Sequence, residues 1–557
     1  MLSHKLSIKA ISKSSITKNV ETARYWAIIK KHTSAAGPTS TTSSFTNVDQ
    51  QLDMTVEWQQ AQPYCELPKD GVFNFLRKFL PGGRYYNLDS AQIVKSMQKE
   101  HGDIYILPGM MGRPDAVVTH NPEDFECIYR NEGRWPIRPN SSTLRYHRNV
   151  LRAEFYNGIE GTIATQGEQW GSFRSIVNPL LMQSKHMKNY LNKMAQVNQE
   201  LVERIRLVRN PETLEMPDDF EETLQRWTLE SVSVVALDKQ LGLLRENSAN
   251  SEIALKLFSA LTDFFTLTFD LEYKPSLWRI VSTPKFRRLM RAMDDIQNIT
   301  WKYTTEVIEK LEAEKRQGIE RKEREQSVLE KLLKIDKKVA TVMAMDLLMA
   351  GVDTTASVAV GALVCLAKNP EKQEKLRQEI LRVLPRKDGD FTIDALDNIP
   401  YLRACLKEAL RIYPLAIGNI RVLHNDVLLS GFRVPKGTVV TMISSTALHS
   451  EEHFPRPLEY IPERWLRMNK EDEQSNEEAA DYTQALKPSN PFIYLPFSVG
   501  PRACVGHRLG DLEMELGIAR LVRNFHIEFN YPTDNIFKGM LINMPNVPLK
   551  FKFIDIE

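Results

Sequence analysis

The chain has 557 residues, enough for one large core or two domains, and its 42% hydrophobic and 26% charged residues are typical of globular proteins. Lysine and arginine number 73 against 71 aspartates and glutamates, so no basic excess is present to neutralise the phosphates of a nucleic acid. The five cysteines are widely spaced and form no CxxC pair. They argue against a disulfide framework and a zinc site, and they favour a reducing compartment.

The first 60 residues differ from the rest of the chain. Residues 1–48 carry seven lysines and arginines, one acid (Glu21) and many serines and threonines. No apolar run there is long enough for a secretory signal or a membrane span. We therefore predict a mitochondrial presequence and linker over residues 1–60 and one folded domain over residues 61–557. A disordered tail without a targeting role is the alternative.

Four segments of the folded part carry clear patterns. Apolar residues alternate around glycine and proline in residues 104–119, which predicts a strand hairpin. Apolar residues recur at spacings of three and four over much of residues 184–405, which predicts helices. Short strands return in residues 422–440, and residues 469–490 form an acidic surface loop. The sequence thus predicts a mainly α fold with small β-sheets.

The least polar stretch of the chain is residues 339–367. Asp346 and Asp353 interrupt it, and the uncharged remainder from Thr354 onward is too short to span a bilayer. A buried core helix is the better interpretation. Acids and threonines inside such a helix cost stability unless they are satisfied or functional.

A cysteine with unusual neighbours lies in residues 497–506, which read FSVGPRACVG. Gly500 and Gly506 permit unusual backbone angles and close approach to a flat ligand. Arg502 adds a positive charge, and a helical pattern begins just after Cys504. Because the start of a helix stabilises anions, Cys504 is placed to act as a thiolate. The alternative for a lone cysteine is structural packing.

This segment resembles the haem-binding loop of the cytochrome P450 superfamily, F-x-x-G-x-R-x-C-x-G, at every fixed position. Further motifs of that family follow its order: W-x-x-x-R at 170–174, A/G-G-x-D/E-T-T/S at 350–355, E-x-x-R at 408–411, and P-E-R-F at 462–465 with Trp465 in place of Phe. The resemblance covers about residues 65–557. It implies the cytochrome P450 fold, with the haem between a distal helix and the proximal cysteine loop.

The resemblance also implies a haem-thiolate monooxygenase with haem b as cofactor and O2 as co-substrate. Cys504 would be the axial iron ligand, and a thiolate there favours O–O cleavage. Four side chains would donate hydrogen bonds to the haem propionates: Trp170, Arg174, Arg421 and Arg502.

Two further groups take their roles from the resemblance. Glu408, Arg411 and Arg464 would form a buried network that serves folding and haem retention. Asp353 and Thr354 would deliver protons to bound oxygen from the distal helix. The alternative for the Asp353–Thr354 pair is a local side-chain-to-backbone hydrogen bond that bends the helix.

The basic leader, in place of an apolar anchor, is typical of mitochondrial members of the family. Arg403 and Lys407 stand four apart and would face outward, where they would dock an acidic ferredoxin served by an NADPH-dependent reductase. Mitochondrial relatives often show two basic residues after the cysteine loop, whereas this chain has His507 and Arg508. The resemblance implies a location on the matrix side of the inner mitochondrial membrane, with peripheral association.

Three segments are similar to insect mitochondrial members, closest to the family-twelve group associated with detoxification: residues 130–136, 177–183 and 551–557. The residues expected to line the substrate space are mostly apolar: Phe264, Phe265, Met349, Ala350, Ala416, Ile417, Leu541 and Ile542. We therefore expect lipophilic substrates, namely xenobiotics such as insecticides. The alternative is a hormone hydroxylase that acts on ecdysteroids. A haem-thiolate isomerase or sensor that uses no external electrons is the other alternative.

Overall fold

The computed structural model describes residues 56–109, 113–139, 141–245, 251–274, 276–319, 321–466 and 486–556. Most of the predicted leader and residues 469–485 of the predicted acidic loop lie outside the described residues. The two expectations about those segments therefore stay predictions.

Helices make up most of the described chain, as the sequence predicts. Their bounds are α1 Val72–Arg77, α2 Ser90–His101, α3 Pro122–Arg130, α4 Ser142–Tyr146, α5 Ala153–Tyr156, α6 Gly161–Ala164, α7 Gly167–Leu181, α8 Ser184–Met187, α9 Leu191–Val208, α10 Phe220–Ala236, α11 Ser251–Glu272, α12 Pro284–Arg316, α13 Val328–Ile335, α14 Lys337–Lys368, α15 Pro370–Val383, α16 Ile393–Asp397, α17 Pro400–Ile412, α18 Ser445–Leu448 and α19 His507–Asn524. Short 3-10 turns cover Tyr64–Glu66, Lys188–Tyr190, Glu323–Glu325 and Pro462–Trp465, and a π-helical turn covers His147–Leu151.

The strands are short and form small sheets. Their bounds are β1 Gln62–Pro63, β2 Ile104–Leu107, β3 Ala116–Thr119, β4 Asn419–Val422, β5 Val427–Leu429, β6 Phe432–Val434, β7 Val439–Met442, β8 Phe525–Glu528, β9 Phe537–Gly539, β10 Asn543–Pro545 and β11 Lys552–Asp555. One sheet has the order β2-β3-β7-β4, with β3 and β7 parallel, and another has the order β1-β6-β5. The antiparallel β2–β3 pair confirms the predicted hairpin.

The centre of the fold is the 32-residue helix α14. Of the described helices, it is the one long and apolar enough to cross a membrane, yet 78% of its most apolar window is buried inside the protein. Its start is capped by Asp336, whose carboxylate accepts a hydrogen bond from the Val339 amide at 2.8 Å. These features confirm the predicted core helix.

Asp346 is tolerated inside α14 because its charge is paired. The Arg148 guanidinium lies 2.9 Å from Asp346, and both side chains are almost fully buried. The Thr162 hydroxyl donates to the same carboxylate at 2.9 Å. This pair ties the π-helical turn that contains Arg148 to the core helix. Removing one partner of such a pair would leave the other charge buried and uncompensated.

Helix α10 packs closely between α14 and α19. A Cβ at Gly351 of α14 would lie 3.0 Å from the Val232 side chain of α10. A Cβ at Gly517 of α19 would collide with the Trp227 ring of α10. Gly351 and Gly517 therefore allow the approach of three helices that carry the residues of the candidate site.

Candidate active site

The cysteine loop folds back on itself immediately before α19. The Cys504 amide donates to the Phe497 carbonyl at 2.8 Å, and the Ala503 amide donates to the Gly500 carbonyl at 3.1 Å. Gly500 has a φ of +75°, and a side chain there would also collide with the Glu132 carboxylate. Both observations require glycine at position 500.

The environment of the Cys504 thiol combines exposure with close protein surroundings. The side chain is exposed, yet protein surrounds it closely enough that burial raises the pKa of its thiol. The Gly506 amide and the guanidinium groups of Arg174 and Arg138 lower that pKa. Because α19 begins at His507, the amides at its start also favour a thiolate.

Buried cations converge beside this loop. The Arg502 guanidinium lies 4.0 Å from the centre of the Trp170 ring, and it donates to the Gln166 side chain at 2.9 Å. Arg174 donates to the Ala503 carbonyl at 2.7 Å, which ties α7 to the cysteine loop. The structure thus brings together Trp170, Arg174 and Arg502 as the sequence predicts.

Arg421 completes the predicted set and contacts two residues that sequence analysis did not assign, Glu132 and Ser498. Its guanidinium donates to the buried Glu132 carboxylate at 2.6 Å and to the Ser498 hydroxyl at 3.3 Å. Arg138 is the fourth arginine, close enough that its charge lowers the pKa of Arg502. Sequence analysis gave neither Glu132 nor Arg138 a role. Glu132 lies within residues 130–136, the segment similar to insect mitochondrial members, and Arg138 lies two positions after it.

This arrangement fits an anionic ligand. Four arginines meet here, and Glu132 is the carboxylate paired with one of them. Burial, followed by the charges of the other three arginines, lowers the pKa of Arg502 to about 8. Within the described part of the chain, Arg502 Nη1 and Arg138 Nε are buried and have no hydrogen-bond partner. Two haem propionates would supply the missing charge and acceptors.

The middle of the buried helix α14 has an exposed side. Ala350 is exposed although it follows the buried Met349 on the core helix, and Thr354 is half-buried one turn later. The Thr354 hydroxyl donates to the Ala350 carbonyl at 2.6 Å. The local hydrogen bond considered as the alternative to a relay is therefore present in this structure. The Thr354 hydroxyl oxygen keeps its capacity to accept a hydrogen bond.

Asp353 points away from Thr354 and into the contact with α10. Its side chain is buried and accepts a hydrogen bond from the Gln225 side chain at 2.7 Å. Burial raises the pKa of Asp353 to about 6. A carboxyl with that pKa exchanges its proton near neutral pH, which suits general acid chemistry. Gln225 gave no signal in the sequence.

The expected substrate-lining residues differ in exposure. Phe264, Phe265 and Met349 are buried in the main core, whereas Ala350 and Ala416 present open surface. Ile417, Leu541 and Ile542 are half-buried. The predicted set is thus mostly apolar, with open surface at its two alanines.

The E-x-x-R residues form a buried network. Arg411 donates to both carboxylate oxygens of Glu408, at 2.9 and 3.1 Å, and Arg464 donates to one of them at 2.9 Å. Trp465, which replaces the usual phenylalanine, adds an indole N–H bond to Glu408 at 2.7 Å. None of the exposed fractions of Glu408, Arg411 and Arg464 exceeds 2%. A charge-assisted network of this kind is costly to break.

The two predicted docking residues lie on the outward side of α17. Lys407 is exposed while the adjacent Glu408 is buried, as the helical spacing predicts. Arg403 is partly exposed, but it donates to the Glu515 carboxylate of α19 at 2.7 Å and to the Leu396 carbonyl. Its charge is therefore partly neutralised. Lys407 forms no ion pair with any residue that the structure describes.

Comparison with known proteins gives consistent matches. The family model described as Cytochrome P450 matches residues 83–553. "Cytochrome P450 CYP12A2" of Musca domestica is 55% identical over 502 residues, covering 90% of this chain and 93% of that protein. "Probable cytochrome P450 12a5, mitochondrial" of Drosophila melanogaster is 57% identical over 501 residues, covering 90% and 92%. These matches confirm the resemblance to the family-twelve group.

A solved structure agrees on the fold. The crystal structure of a cytochrome P450, CYP102L1, matches with a TM-score of 0.65 and covers 84% of this chain and 99% of that chain. The two sequences are 22% identical, so this likeness concerns the fold alone.

Proposed function

Since the chain belongs to the cytochrome P450 family, we propose that Cys504 holds the haem iron and that the enzyme oxidises lipophilic foreign compounds in mitochondria, with electrons from a ferredoxin. The family establishes a haem-thiolate monooxygenase that uses O2. The observation that supports the assignment to Cys504 is the cluster of four arginines beside its loop, where the charges of Arg174 and Arg138 lower the pKa of the thiol. When bound, the haem supplies an iron that activates O2, helped by electron donation from its thiolate ligand.

The residues around that iron would have separate tasks. Trp170, Arg174, Arg421 and Arg502 would hold the propionates by hydrogen bonds and charge, and Arg138 would join them. Asp353 would hold a proton and pass it inward, and Thr354 would orient a water through its hydroxyl. Glu408, Arg411 and Arg464 would stabilise the proximal side without taking part in turnover.

The mitochondrial assignment is supported by the basic leader and by relatives whose names include "mitochondrial". We place the enzyme on the matrix side of the inner membrane, associated peripherally. Large apolar side chains are exposed at two places, Phe73 and Leu80 near α1 and Leu277, Ile280 and Val281 after α11. Exposed apolar groups of this kind suit the surface of a bilayer. A reporter fused to residues 1–60 that stayed in the endoplasmic reticulum would contradict this location.

The ferredoxin would dock on the surface that contains Lys407. Because Arg403 is held by Glu515, we assign the larger docking contribution to Lys407. Exposed charges of this kind steer association with an oppositely charged partner and are screened by salt. An acidic ferredoxin provides the matching charge.

We expect Lys407→Glu to raise the KM for ferredoxin by roughly threefold to tenfold at low salt, because it reverses an exposed docking charge. The difference from wild type should shrink as ionic strength rises. Haem absorbance should stay unchanged. The matched control is Lys310→Glu on α12, an exposed lysine on another helix. Equal KM values for wild type and Lys407→Glu at low salt would contradict the docking assignment.

The proposed substrate class is supported by the apolar character of the residues expected to line the substrate space. A pocket that binds by burial gains ~25 cal/mol per Å² of apolar surface and discriminates weakly between similar hydrophobes. Lipophilic xenobiotics, insecticides included, fit that description. A dedicated ecdysteroid hydroxylase would instead need buried polar groups that bind the sterol hydroxyls.

We expect kcat/KM values for a set of lipophilic xenobiotics and for ecdysteroid precursors to lie within ~10²-fold of one another, since apolar contacts separate similar ligands poorly. The measurement uses purified enzyme with ferredoxin, reductase and NADPH. A preference of ~10⁴-fold for one sterol, which hydrogen-bonding sites achieve, would overturn the xenobiotic proposal in favour of the hormone hydroxylase.

A further inference from the structure

One stripe of α10 lies against the distal part of α14. The Gln225 side chain donates to Asp353 at 2.7 Å, and the Thr228 hydroxyl donates to the Val352 carbonyl at 3.0 Å. Val232 continues the stripe against Gly351. Glu221 stands one turn before Gln225 and therefore belongs to the same stripe.

Glu221 lies close enough to Asp353 that the Asp353 charge affects its ionisation. Burial, followed by the negative charge of Asp353, raises the pKa of Glu221 to about 7. Asp353 is 3% exposed, whereas Glu221 is only half-buried. Of the described residues, no lysine, arginine or histidine alters the pKa of either carboxyl. Both groups can therefore be protonated near neutral pH.

Other titratable groups on the packed helices do not take this role. Burial raises the pKa of Glu513 on α19 well above its ordinary value, although the hydroxyls of Ser231 and Thr355 lower it. Glu513 is 1% exposed and therefore does not take a proton directly from bulk water. Glu222 is paired with Arg226 at 2.5 Å and its side chain is 43% exposed. Glu221 is left as the acid that has both the position beside Asp353 and partial exposure.

We propose that Glu221 is the outer acid of the proton path, which takes a proton from water and passes it to Asp353. Gln225 would be a positioning residue that holds the Asp353 carboxyl. In each transfer one O–H bond breaks on the donor and one forms on the acceptor, and no electron moves. The oxidation as a whole consumes two protons, one O2 and two electrons from the ferredoxin, and it releases one water. This inference rests on the relay role proposed for Asp353.

The test is Glu221→Gln, which keeps the shape of the side chain and removes its proton. We expect product per NADPH to fall roughly tenfold, with peroxide released instead, because proton delivery contributes large factors to rate. Oxidation driven by added hydrogen peroxide should be unchanged, since peroxide carries its own protons. The solvent isotope effect on turnover should rise. Glu222→Gln is the matched control and should behave as wild type in all three measurements.

The pH dependence gives a readout that a structural role would not change. The protonated form of Glu221 is the donor, so wild-type turnover should fall as pH rises through about 7, and Glu221→Gln should lose that limb. Infrared spectra of the resting enzyme should show a protonated carboxyl that titrates in the same range and disappears in Glu221→Gln. Absence of this carboxyl from the wild-type spectra would overturn the inference, even if the variant failed to fold.

Asp353→Asn distinguishes a failure of the Glu221 role from a failure of the Asp353 relay on which it rests. If Asp353→Asn forms as much product per NADPH as wild type, the proton relay through Asp353 is rejected. The role proposed for Glu221 is then rejected as well. If Asp353→Asn uncouples while Glu221→Gln keeps the wild-type pH limb and isotope effect, the role of Glu221 alone is rejected. Uncoupling in both variants, with peroxide-driven oxidation retained, supports the path from Glu221 to Asp353.

Discussion

Cys504→His is expected to bind haem and to lose both monooxygenation and the red-shifted Soret band of the reduced, carbon-monoxide-bound protein. Imidazole is a neutral ligand and donates less electron density to the iron than a thiolate, so O–O cleavage is no longer favoured. The four arginines beside the loop are unaffected by the substitution, so haem should still be held. Product formation should fall to background while haem content stays measurable.

The control for this substitution is Cys65→Ser, because Cys65 is exposed and free. It should keep both the thiolate spectrum and the activity. Retention of the thiolate spectrum in Cys504→Ala would mean that another cysteine is the ligand, and the assignment of the site would be wrong.

Glu408→Gln is expected to destabilise the fold by ~3–5 kcal/mol, since it leaves Arg411 and Arg464 as buried charges without a carboxylate. The amide still accepts hydrogen bonds but cannot neutralise either guanidinium. Thermal unfolding should shift to lower temperature, and the fraction of protein recovered with haem should drop.

An exposed pair with the same spacing provides the comparison. Glu459 and Arg456 also stand three residues apart, and both side chains are about half exposed. Glu459→Gln should leave the unfolding temperature and haem content close to wild type. Equal behaviour of the two variants would show that burial of the Glu408 network does not matter for haem retention.

Local patterns account for what the sequence could predict of the fold. The core helix follows from an apolar stretch that Asp346 and Asp353 interrupt, and the start of α19 follows from the residues just after Cys504. The β2–β3 hairpin follows from alternation around glycine and proline. Each of these signals lies within a few residues of the element that it predicts.

Contacts between distant parts of the chain account for what the sequence could not predict. Glu132 pairs with Arg421, 289 positions away, and Gln225 binds Asp353 across 128 positions. The helical spacing correctly placed Arg403 on an outward face, but its partner Glu515 lies 112 positions later. Periodicity reports which face a residue occupies and carries no information about the residue that it meets.

Motifs of the family lie between these two cases. The approach of Glu408 to Arg464 was expected from the resemblance, because their separation of 56 positions gives no local signal. Trp465 departs from the usual motif, and only the structure reveals that its indole N–H binds the Glu408 carboxylate. The resemblance to the family thus predicted the Glu408 network. The hydrogen bond of Trp465, which replaces the usual phenylalanine, could be seen only in the structure.

The most direct test of the proposed activity uses isotopically labelled oxygen. Purified enzyme is supplied with a lipophilic xenobiotic, NADPH, reductase, a mitochondrial ferredoxin and ¹⁸O2, and the product is analysed by mass spectrometry. We expect one ¹⁸O atom in each product molecule and no product when ferredoxin is left out. Product that carries oxygen from water would contradict a monooxygenase. Product of the same mass as the substrate that forms without ferredoxin would favour an isomerase that needs no external electrons.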